Sequence, residues 1–459
     1  MSELESIIVS ISRMIWGVPL IAALLGIGIY FSFKLKFLQV THLKLALKYV
    51  IGGDKQSDEH HIGDISNFAS LCTALSATIG TGNIVGVALA ITTGGPGALF
   101  WIWISSFFCM ILKYAEGVLA IKYRTVGSDG KMSGGPMYYI EKGLGNKFFA
   151  RWFAWGGVAV ALVGIGTMTQ TNTIASAANS FGIPNILTAA LVGIAVAVIT
   201  IGGIHRIAYI SEKIVPLMCV FYVGAAILVL IMKANFIPNA ISLIFIGAFS
   251  PEAIFGGSVG VTFMTAIQLG ICRGVFSHES GLGSAAIASA AAKVDSPTKQ
   301  GLISMVGAFF SIIVCTMTGL VLIITSKETG IFTSQCTIDG TLLTSHAFGL
   351  GLGAAELGKY IVSIGILFFA FTTIIGWNYY GEKCIQYLWG TKAIAPYRVL
   401  FLFFVLIGPF FQIDIIFTVA DIVTGLMTIP NLIGLIGLRK VIVDETLSLW
   451  LQRKRRVFT

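Results

Sequence analysis

The stretch from Ser66 to Thr93, SNFASLCTALSATIGTGNIVGVALAITT, decides how the rest of the chain is interpreted. It is apolar from Phe68 to Ile91, and as a helix rising ~1.5 Å per residue it is long enough to cross a hydrocarbon layer of ~30 Å. Its centre, Gly80–Asn83 (GTGN), weakens the helix, because glycine and asparagine replace the usual Leu, Ile, Val and Ala. Backbone groups freed by a break inside a membrane are tolerated where they are buried in protein or line a binding cavity. The stretch therefore predicts a discontinuous helix, which is typical of the substrate site of a secondary transporter.

Two other interpretations apply to the same glycines. Gly82 and Gly86 form a GxxxG pattern, which in membrane helices also indicates close helix packing, and the sequence leaves this alternative open. Gly80, Gly82 and Gly86 superficially match a dinucleotide-binding loop. Their spacing is GxGxxxG rather than GxGxxG, no strand precedes them and no acidic residue follows about 20 positions later, so this interpretation is disfavoured.

The composition is that of an integral membrane protein. Of 459 residues, 56% are hydrophobic and 11% are charged, against about 25% charged in soluble domains. The seven cysteines stand singly, without CxxC or metal-type His spacing, so neither a disulfide framework nor a metal site is expected. We expect the lipid bilayer as a partner, no nucleic acid and no cofactor.

Motifs for other functional classes are missing from the sequence. There is no HExxH, no GxSxG and no helically spaced acid pair, so an enzyme is disfavoured. A passive channel is disfavoured as well, because breaks at mid-membrane form a closed site rather than rings of pore-lining charge.

Apolar runs predict an all-α protein with about eleven transmembrane helices. Their approximate spans are 12–32, 66–92, 97–123, 151–181, 184–202, 207–232, 258–280, 300–325, 355–388, 395–412 and 414–438. If the C-terminus is cytoplasmic, 25 of the 30 Lys and Arg residues lie at or near the inner loops and the C-terminal tail. Basic residues mark the cytoplasmic side. We therefore expect a multi-pass protein of a bacterial or archaeal cytoplasmic membrane, with its N-terminus outside and its C-terminus inside.

The helices divide into one extra helix followed by five plus five. Residues 1–64 are predicted to hold the first helix and an amphipathic segment, Phe33–Tyr49, on the inner membrane surface. The two halves are residues 65–235 and 236–440, and a basic cytoplasmic tail covers 441–459. The halves start on opposite sides of the membrane, as an inverted repeat requires, and each first helix carries an interruption, Gly80–Asn83 and Gly270–Glu279. Such paired interruptions predict a binding site near the membrane midplane.

Several polar residues fall inside predicted helices, where they are costly without partners. Gln170 is expected to face the bundle, either at the site or in an interhelical hydrogen bond. Lys113 and Glu116 are three apart on one helix face, which predicts a mutual ion pair. The hydroxyls of Thr372 and Thr373 are suitable ligands for a small cation, although they can also bond their own helix.

A second group of charges lies at the other interruption. Arg273, His278 and Glu279 are expected to form an inner gate or a network that closes the fold rather than to contact substrate. Asp421 is either a solitary buried acid or a helix cap, and the sequence does not decide between them.

Five motifs together resemble the alanine or glycine:cation symporters of bacteria and archaea, over about residues 30–440. They are TIGTGNIVGVA at 78–88, GGPGALFW at 94–101, KYAE at 113–116, GGPMYYI at 134–140 and RGVFS at 273–277. The resemblance implies that the last ten helices form a LeuT-type inverted repeat. It also implies symport of a small neutral amino acid, alanine or glycine, into the cell with sodium by alternating access.

The resemblance also implies which residues bind. The implied substrate site consists of Thr78, Gly80, Thr81, Gly82, Asn83, Gln170, Gly274 and Phe276. The implied sodium site combines carbonyls near Ser76 and Ile79 with the hydroxyls of Thr372 and Thr373, and sodium is a co-substrate rather than a cofactor. Proton coupling or exchange is the alternative, for which His278 or Glu279 is the nearest titratable candidate. The choice between alanine and glycine stays open, as does the oligomeric state, with a monomer as one option.

The charge distribution makes a topological prediction. A reporter fused after Arg456 is expected to report the cytoplasm, and a tag placed before Ser2 is expected to be accessible from outside, because basic residues stay on the cytoplasmic side. Protease accessibility in intact cells and in inverted vesicles measures both. Finding the two ends on the same side would contradict the eleven-helix topology and the inverted repeat.

Overall fold

The protein is described by a computed structural model that covers residues 3–51, 63–127, 129–250, 263–294, 296–331 and 340–457. Its helices before residue 250 are α1 (Glu3–Ile15), α2 (Val18–Lys34), α3 (Leu38–Thr41), α4 (Leu43–Ile51), α5 (Asn67–Thr78), α6 (Val85–Gly94), α7 (Gly97–Lys122), α8 (Pro136–Leu144), α9 (Lys147–Val163), α10 (Met168–Asn179), α11 (Asn185–Thr200), α12 (Gly203–Met232) and α13 (Ile237–Phe249). Those after it are α14 (Phe263–His278), α15 (Ser284–Ala290), α16 (Pro297–Ile324), α17 (Ser326–Thr329), α18 (Gly340–Leu352), α19 (Ala355–Trp389), α20 (Ile394–Ile407), α21 (Ile413–Gly437) and α22 (Arg439–Val457).

Short elements connect some of these helices. Among the described residues, 3-10 turns are formed by Thr81–Asn83, Ala234–Phe236, Thr391–Ala393 and Gly408–Phe410. Strands β1 (Thr125–Val126) and β2 (Met132–Ser133) form an antiparallel hairpin after α7, with Thr125 opposite Ser133.

The all-α membrane architecture is confirmed. Eight helices in the described part of the chain are long and apolar enough to cross a membrane, and α5 with α6 forms a ninth span bent by 61°. The predicted spans 184–202 and 258–280 are also helical, as the shorter α11 and as α14, although residues 251–262 lie outside the described residues. The domain limits remain a prediction.

The first break lies where the sequence places it. Helix α5 starts at a Ser66 cap, whose hydroxyl accepts the Ala69 N–H at 3.1 Å, and it ends at Thr78. Gly80 is extended, at φ −126° and ψ −157°, and the 3-10 turn leads into α6. The backbone of the GTGN segment therefore leaves the helix inside the protein, where Gly80–Asn83 are all buried.

The second break lies further along the chain than predicted. The run Gly270–Glu279 is helical through His278, and the break occupies Glu279–Gly283, where Glu279, Gly281 and Gly283 have φ of 52°, 89° and 81°. The predicted glycines serve packing instead. A Cβ on Gly270 would lie 2.6 Å from Ala98 O on α7, so this glycine lets two helices approach closely.

A third break was not predicted. The span predicted for 151–181 is divided at Gly164–Thr167 into α9 and α10. The segment Phe33–Tyr49 is not a single helix either, because Lys36 and Phe37 have left-handed backbones (φ 55° and 51°), after which α3 and α4 follow.

Helices α7 and α16 are each the second transmembrane helix of a predicted half, and they pack along each other. Glycines make this possible. A Cβ on Gly117 would lie 2.7 Å from Ser304 Oγ and 2.9 Å from Gly301 Cα. The backbones of α7 and α16 thus approach each other at this crossing more closely than larger residues would allow.

Gly117→Leu is therefore expected to destabilise the protein, by at least the ~1–3 kcal/mol typical of overpacking, because the new side chain meets the backbone of α16. Thermal unfolding of detergent-purified protein followed by size-exclusion chromatography measures this. Gly224→Leu is the matched control, since a Cβ there meets no atom within 4 Å. Equal melting temperatures for the two variants would contradict the packing role of Gly117.

Candidate substrate and ion site

The first break is held open by its own asparagine. Asn83 Oδ1 accepts the Gly80 N–H at 3.1 Å, and Asn83 Nδ2 donates to Ser311 Oγ on α16 at 2.8 Å. Ser311 Oγ in turn donates to the Ser277 carbonyl near the end of α14 at 2.9 Å. Asn83 therefore stabilises the break and ties it to the second half of the protein, a structural role that the sequence did not distinguish from ligand binding.

Gln170 connects the first break with the third. It lies in the first turn of α10, and its Nε2 donates to the Ile165 carbonyl inside the third break at 2.8 Å. Its Oε1 accepts the Thr81 N–H at 3.3 Å. The hydroxyl Oγ1 of Thr81 is buried and has no hydrogen-bond partner among the described residues. Thr81 thus offers, at the break, a hydroxyl without a partner among the described residues and a backbone N–H that makes only a long hydrogen bond.

An aromatic side chain closes the space beside Gly82. A Cβ on Gly82 would lie 2.6 Å from Phe276 Cδ1 and 3.3 Å from Ser277 Oγ. Phe276 stacks on Phe417 of α21 with ring centroids 5.7 Å apart. The surroundings of Gly82 therefore leave no room for even one methyl group unless this wall shifts.

Two residues of the implied substrate set lie elsewhere. Gly274 faces α7, where a Cβ would lie 2.4 Å from Ser105 Oγ, so it is a packing glycine. Thr78 Oγ1 donates to its own helix at Ala74 O, 2.7 Å away, and accepts a hydrogen bond from Lys113 Nζ at 3.0 Å. Both are explained by helix contacts, because α7 passes close to α5 and α14.

The implied ion ligands lie at a crossing of α5 and α19. Thr373 Oγ1 is 3.0 Å from Ser76 O and 2.9 Å from Phe369 O. Thr372 Oγ1 is 3.1 Å from the same Phe369 O and 2.9 Å from Phe368 O, on its own helix. Hydroxyls that donate to carbonyls keep lone pairs for a cation. Neutral oxygens of two helices thus meet at Thr373, and they include the Phe369 carbonyl, which no side-chain pattern could have revealed. The Thr372 hydroxyl bonds its own helix and lies 3.6 Å from Met218 Sδ on α12.

Two further residues of the implied sites, Ile79 and Gly80, lie next to this crossing of α5 and α19. Ile79 is fully buried at the end of α5, and its N–H bonds to Leu75 O at 2.7 Å. A Cβ on Gly80 would lie 2.5 Å from Thr373 Oγ1 and 3.4 Å from Gln170 Oε1. Gly80 therefore separates the candidate ion site from the Gln170 side of the break, and the two candidate sites are neighbours. No group of three or more His, Cys, Asp or Glu side chains suited to a metal ion occurs within the described ranges.

The predicted ion pair between Lys113 and Glu116 is wrong. Lys113 Nζ donates to Thr78 Oγ1 and, at 2.7 Å, to the carbonyl of His278, the last residue of α14. Glu116 Oε1 accepts the N–H groups of Gly281 and Gly283, both at 3.0 Å. Each charge thus satisfies backbone or side-chain groups freed by a helix break instead of pairing with the other. Only the tertiary structure brings these partners to α7.

The charges predicted to cluster at the second interruption separate into two groups. Arg273 forms a bidentate ion pair with Asp421, with both N–O distances at 2.9 Å, so Asp421 is neither solitary nor a cap. His278 and Glu279 bond the turn that follows α14: His278 Nδ1 accepts the Ser280 N–H at 3.0 Å, and Glu279 Oε2 accepts from Ser284 Oγ at 2.7 Å. These contacts stabilise the fold as predicted, but they do so in two places, at the Arg273–Asp421 pair and in the turn after α14.

One hollow elsewhere could be mistaken for the site. A groove of about 370 Å³ lies among α10, α11 and α19 and is lined by apolar side chains such as Phe181, Leu191 and Leu367. It contains none of the residues at the breaks. Polar groups converge at the breaks and not in this groove, so the breaks form the candidate site.

Comparison with known proteins agrees with this geometry. The family model described as "Sodium:alanine symporter family" matches residues 1–457. An uncharacterized transporter of Haemophilus influenzae is 50% identical over 445 residues, covering 96% of this chain and 95% of that protein. The sodium/alanine symporter AgcS of Methanococcus maripaludis is 46% identical over 450 residues, covering 97% of each.

A solved structure shares the fold. The crystal structure of MhsT in complex with L-phenylalanine, a LeuT-type transporter, aligns with a TM-score of 0.57 at 14% identity, covering 85% of this chain and 99% of that chain. This likeness confirms the predicted LeuT-type fold. The family match extends over nearly the whole chain and its relatives are transporters rather than enzymes. The chain therefore belongs to the sodium:alanine symporter family of multi-pass membrane transporters, which makes it a cation-coupled amino-acid transporter.

Proposed function

We propose that this protein imports alanine or glycine together with sodium by alternating access. The observation that carries the proposal is the contact at Gly82, where a Cβ would lie 2.6 Å from the Phe276 ring. A site walled so closely accepts a small amino acid and rejects a branched or aromatic one. The relative AgcS, named as a sodium/alanine symporter, supports the same substrate class.

Recognition of the amino acid rests on the backbone of the break. The Thr81 N–H makes only a 3.3 Å bond to Gln170, and the Thr81 hydroxyl is buried without a partner among the described residues. A substrate carboxylate would accept a stronger, charge-assisted hydrogen bond from the Thr81 N–H in place of Gln170. It would also accept a hydrogen bond from the Thr81 hydroxyl. Glycine at 80 and 82 permits the approach, because no Cβ stands between the backbone and the ligand.

Coupling of sodium to amino-acid transport rests on carbonyl and hydroxyl oxygens that α5 and α19 contribute. Sodium is a hard cation that carbonyl and hydroxyl oxygens satisfy, and Ser76, Phe369 and the two threonines offer such oxygens without any carboxylate. Binding by dipoles alone is weak and readily reversed, which suits an ion that must leave on the low-sodium side. Its departure would remove one link between α5 and α19 and favour their separation. The first break contains no titratable side chain, which favours sodium over a proton at this position.

Substitutions at Gly82 test the substrate site. Gly82→Leu is expected to abolish alanine uptake, and Gly82→Ala to reduce it strongly, because both side chains meet the Phe276 ring. Uptake of labelled amino acids into proteoliposomes under an inward sodium gradient measures this. The control is Gly86→Ala on α6, where a Cβ has its nearest neighbour at 3.9 Å and should leave uptake near the wild-type rate.

The same assay tests the substrate class. Wild-type protein is expected to take up alanine and glycine in preference to leucine. Efficient leucine uptake by wild type, or unchanged alanine uptake by Gly82→Leu, would contradict the proposed size limit.

Valine substitutions test the ion site. Thr373→Val keeps the side-chain shape but deletes one oxygen, so it is expected to raise the sodium concentration for half-maximal alanine uptake about fivefold, corresponding to ~1 kcal/mol for one lost polar contact. Thr372→Val is expected to act in the same direction, and Thr373→Ser, which keeps the hydroxyl, to restore the wild-type value. Sodium activation curves in proteoliposomes provide the measurement.

Thr92→Val is the control for these curves. Thr92 lies on α6, and its hydroxyl bonds Ala88 O and Leu89 O of its own helix, so its loss should not change sodium activation. If the curves of Thr372→Val and Thr373→Val both coincide with that of wild type, the two hydroxyls serve only helix contacts and the ion binds elsewhere.

A further inference from the structure

The ring of Phe276, which limits the space at Gly82, is contacted by a charged side chain of its own helix. Phe276 and Phe417 stack on each other and are both buried, and we call this pair of rings the aromatic wall. Arg273 Cζ lies 5.7 Å from the centroid of each ring. A guanidinium group within ~6 Å of an aromatic ring attracts it. Arg273 therefore contacts both rings of the aromatic wall at once.

The orientation of Arg273 is fixed by an acid on the facing helix. The two carboxylate oxygens of Asp421 on α21 accept hydrogen bonds from Arg273, each at 2.9 Å, and little of either side chain is exposed. A planar guanidinium group that makes two parallel hydrogen bonds to one carboxylate has little freedom to turn. The position of Asp421 thus determines where the guanidinium group lies relative to the aromatic wall.

Asp421 is in turn held by a residue outside the ten helices of the predicted repeat. Trp16 lies at the turn between α1 and α2, is 3% exposed, and donates from Nε1 to the Asp421 carbonyl at 2.8 Å. Its own carbonyl accepts a hydrogen bond from Gln268 Nε2 on α14 at 2.9 Å. Trp16 therefore links α14 to α21, the two helices that carry Arg273 and Asp421.

The turn at Trp16 also packs closely on α21. A Cβ on Gly425 would overlap the Ile15 side chain and would lie 3.1 Å from Trp16 Nε1. Gly425 follows Asp421 by four residues and Phe417 by eight, so these three residues share one face of α21. That face contacts the N-terminal span at one end and contributes a ring of the aromatic wall at the other. A shift of α21 relative to the N-terminal span would therefore also displace the wall.

We propose that Trp16 is a positioning residue that sets the size limit of the substrate site. Through Asp421 and Arg273 it fixes the aromatic wall beside Gly82, although its own span lies outside the repeat that forms the site. The inference rests on the size limit proposed above and assigns part of it to the N-terminal span. Loss of the Trp16 hydrogen bond frees Asp421 to shift, so the wall yields and larger amino acids enter.

A role in packing alone leads to a different expectation for Trp16. A residue that only stabilises the fold changes the amount of active protein, and it therefore changes the uptake of every amino acid by the same factor. A residue that positions the aromatic wall changes the uptake of a large amino acid relative to that of a small one. The ratio of two uptake rates from one preparation separates these roles, because the amount of active protein cancels.

The experiment compares wild type with Trp16→Phe, which keeps an aromatic ring but deletes the N–H donor. Initial uptake of leucine and of alanine, each at the same low concentration, is measured in proteoliposomes of one preparation under an inward sodium gradient. The leucine-to-alanine ratio is expected to rise about fivefold in Trp16→Phe, the change expected for one lost hydrogen bond. Trp101→Phe is the matched control. It deletes a bond of the same kind, from Trp101 Nε1 to the Ala248 carbonyl at 3.2 Å, and should retain the wild-type ratio.

A second pair of variants tests whether Trp16 acts through the aromatic wall. Phe276→Leu removes one ring, so its leucine-to-alanine ratio is expected to be high already, and adding Trp16→Phe should leave that ratio unchanged. Residues that act through one another show such non-additive effects, whereas independent residues do not. If Trp16→Phe multiplies the ratio by the same factor with and without the Phe276 ring, Trp16 acts by another route and the proposal is overturned.

The wild-type ratio separates this inference from the proposed function. A low wild-type ratio that Trp16→Phe leaves unchanged would overturn the inference alone and leave the proposed function intact. A wild-type ratio near one would contradict the proposed size limit, and the inference with it.

If Trp16→Phe does not fold, Gln268→Met takes its place. This change deletes the hydrogen bond to the Trp16 carbonyl but keeps a side chain of similar length. The leucine-to-alanine ratio is expected to rise in the same direction, because the turn at Trp16 loses its link to α14. An unchanged ratio in Gln268→Met would overturn the proposal.

Discussion

The structure depends on one constraint, namely that backbone groups released by a broken helix inside a membrane must find partners within the protein. In the part of the chain that the structure describes, three spans are broken, at Gly80–Asn83, Gly164–Thr167 and Glu279–Gly283. The first and second breaks are bonded by side chains from other parts of the bundle, and the first and third breaks are also bonded by side chains of their own segments. Gln170 serves the first and third breaks, and Glu116 serves the second. A break of this kind is therefore stable only in the assembled bundle.

This arrangement links the breaks to one another. Lys113 holds the end of α5 and the end of α14 with a single ammonium group, and Asn83 reaches the Ser277 carbonyl through Ser311. Movement at one break must therefore stretch or exchange hydrogen bonds at another. Such shared bonds give a physical route by which an amino acid and an ion, if bound at the proposed sites at the first break and beside Thr373, would affect the same helices, as coupled transport requires.

The candidate site was predictable where the local sequence itself imposes the chemistry. Gly80 and Gly82 weaken a helix wherever they stand, and Gln170 must face polar partners in any membrane bundle. The same reasoning failed for Gly274 and for the position of the second break. Glycine permits both a break and close packing, and only the neighbouring helix α7 shows that Gly270 and Gly274 serve packing. Lys113 and Glu116 were misassigned for a related reason, because helical spacing identifies a shared face but not the partners opposite it.

The sequence by itself determined the membrane class, the discontinuous helix at Gly80–Asn83 and, through its motifs, the family. These follow from residue types and their spacing along the chain, which need no knowledge of distant neighbours. Only the tertiary structure decided that Asp421 pairs with Arg273, that the Phe369 carbonyl lies beside Thr373, and that Glu116 bonds the turn after α14. Each of these contacts joins residues far apart in sequence or uses a backbone group that every residue possesses. A linear pattern cannot encode such contacts, because they depend on which helices pack together.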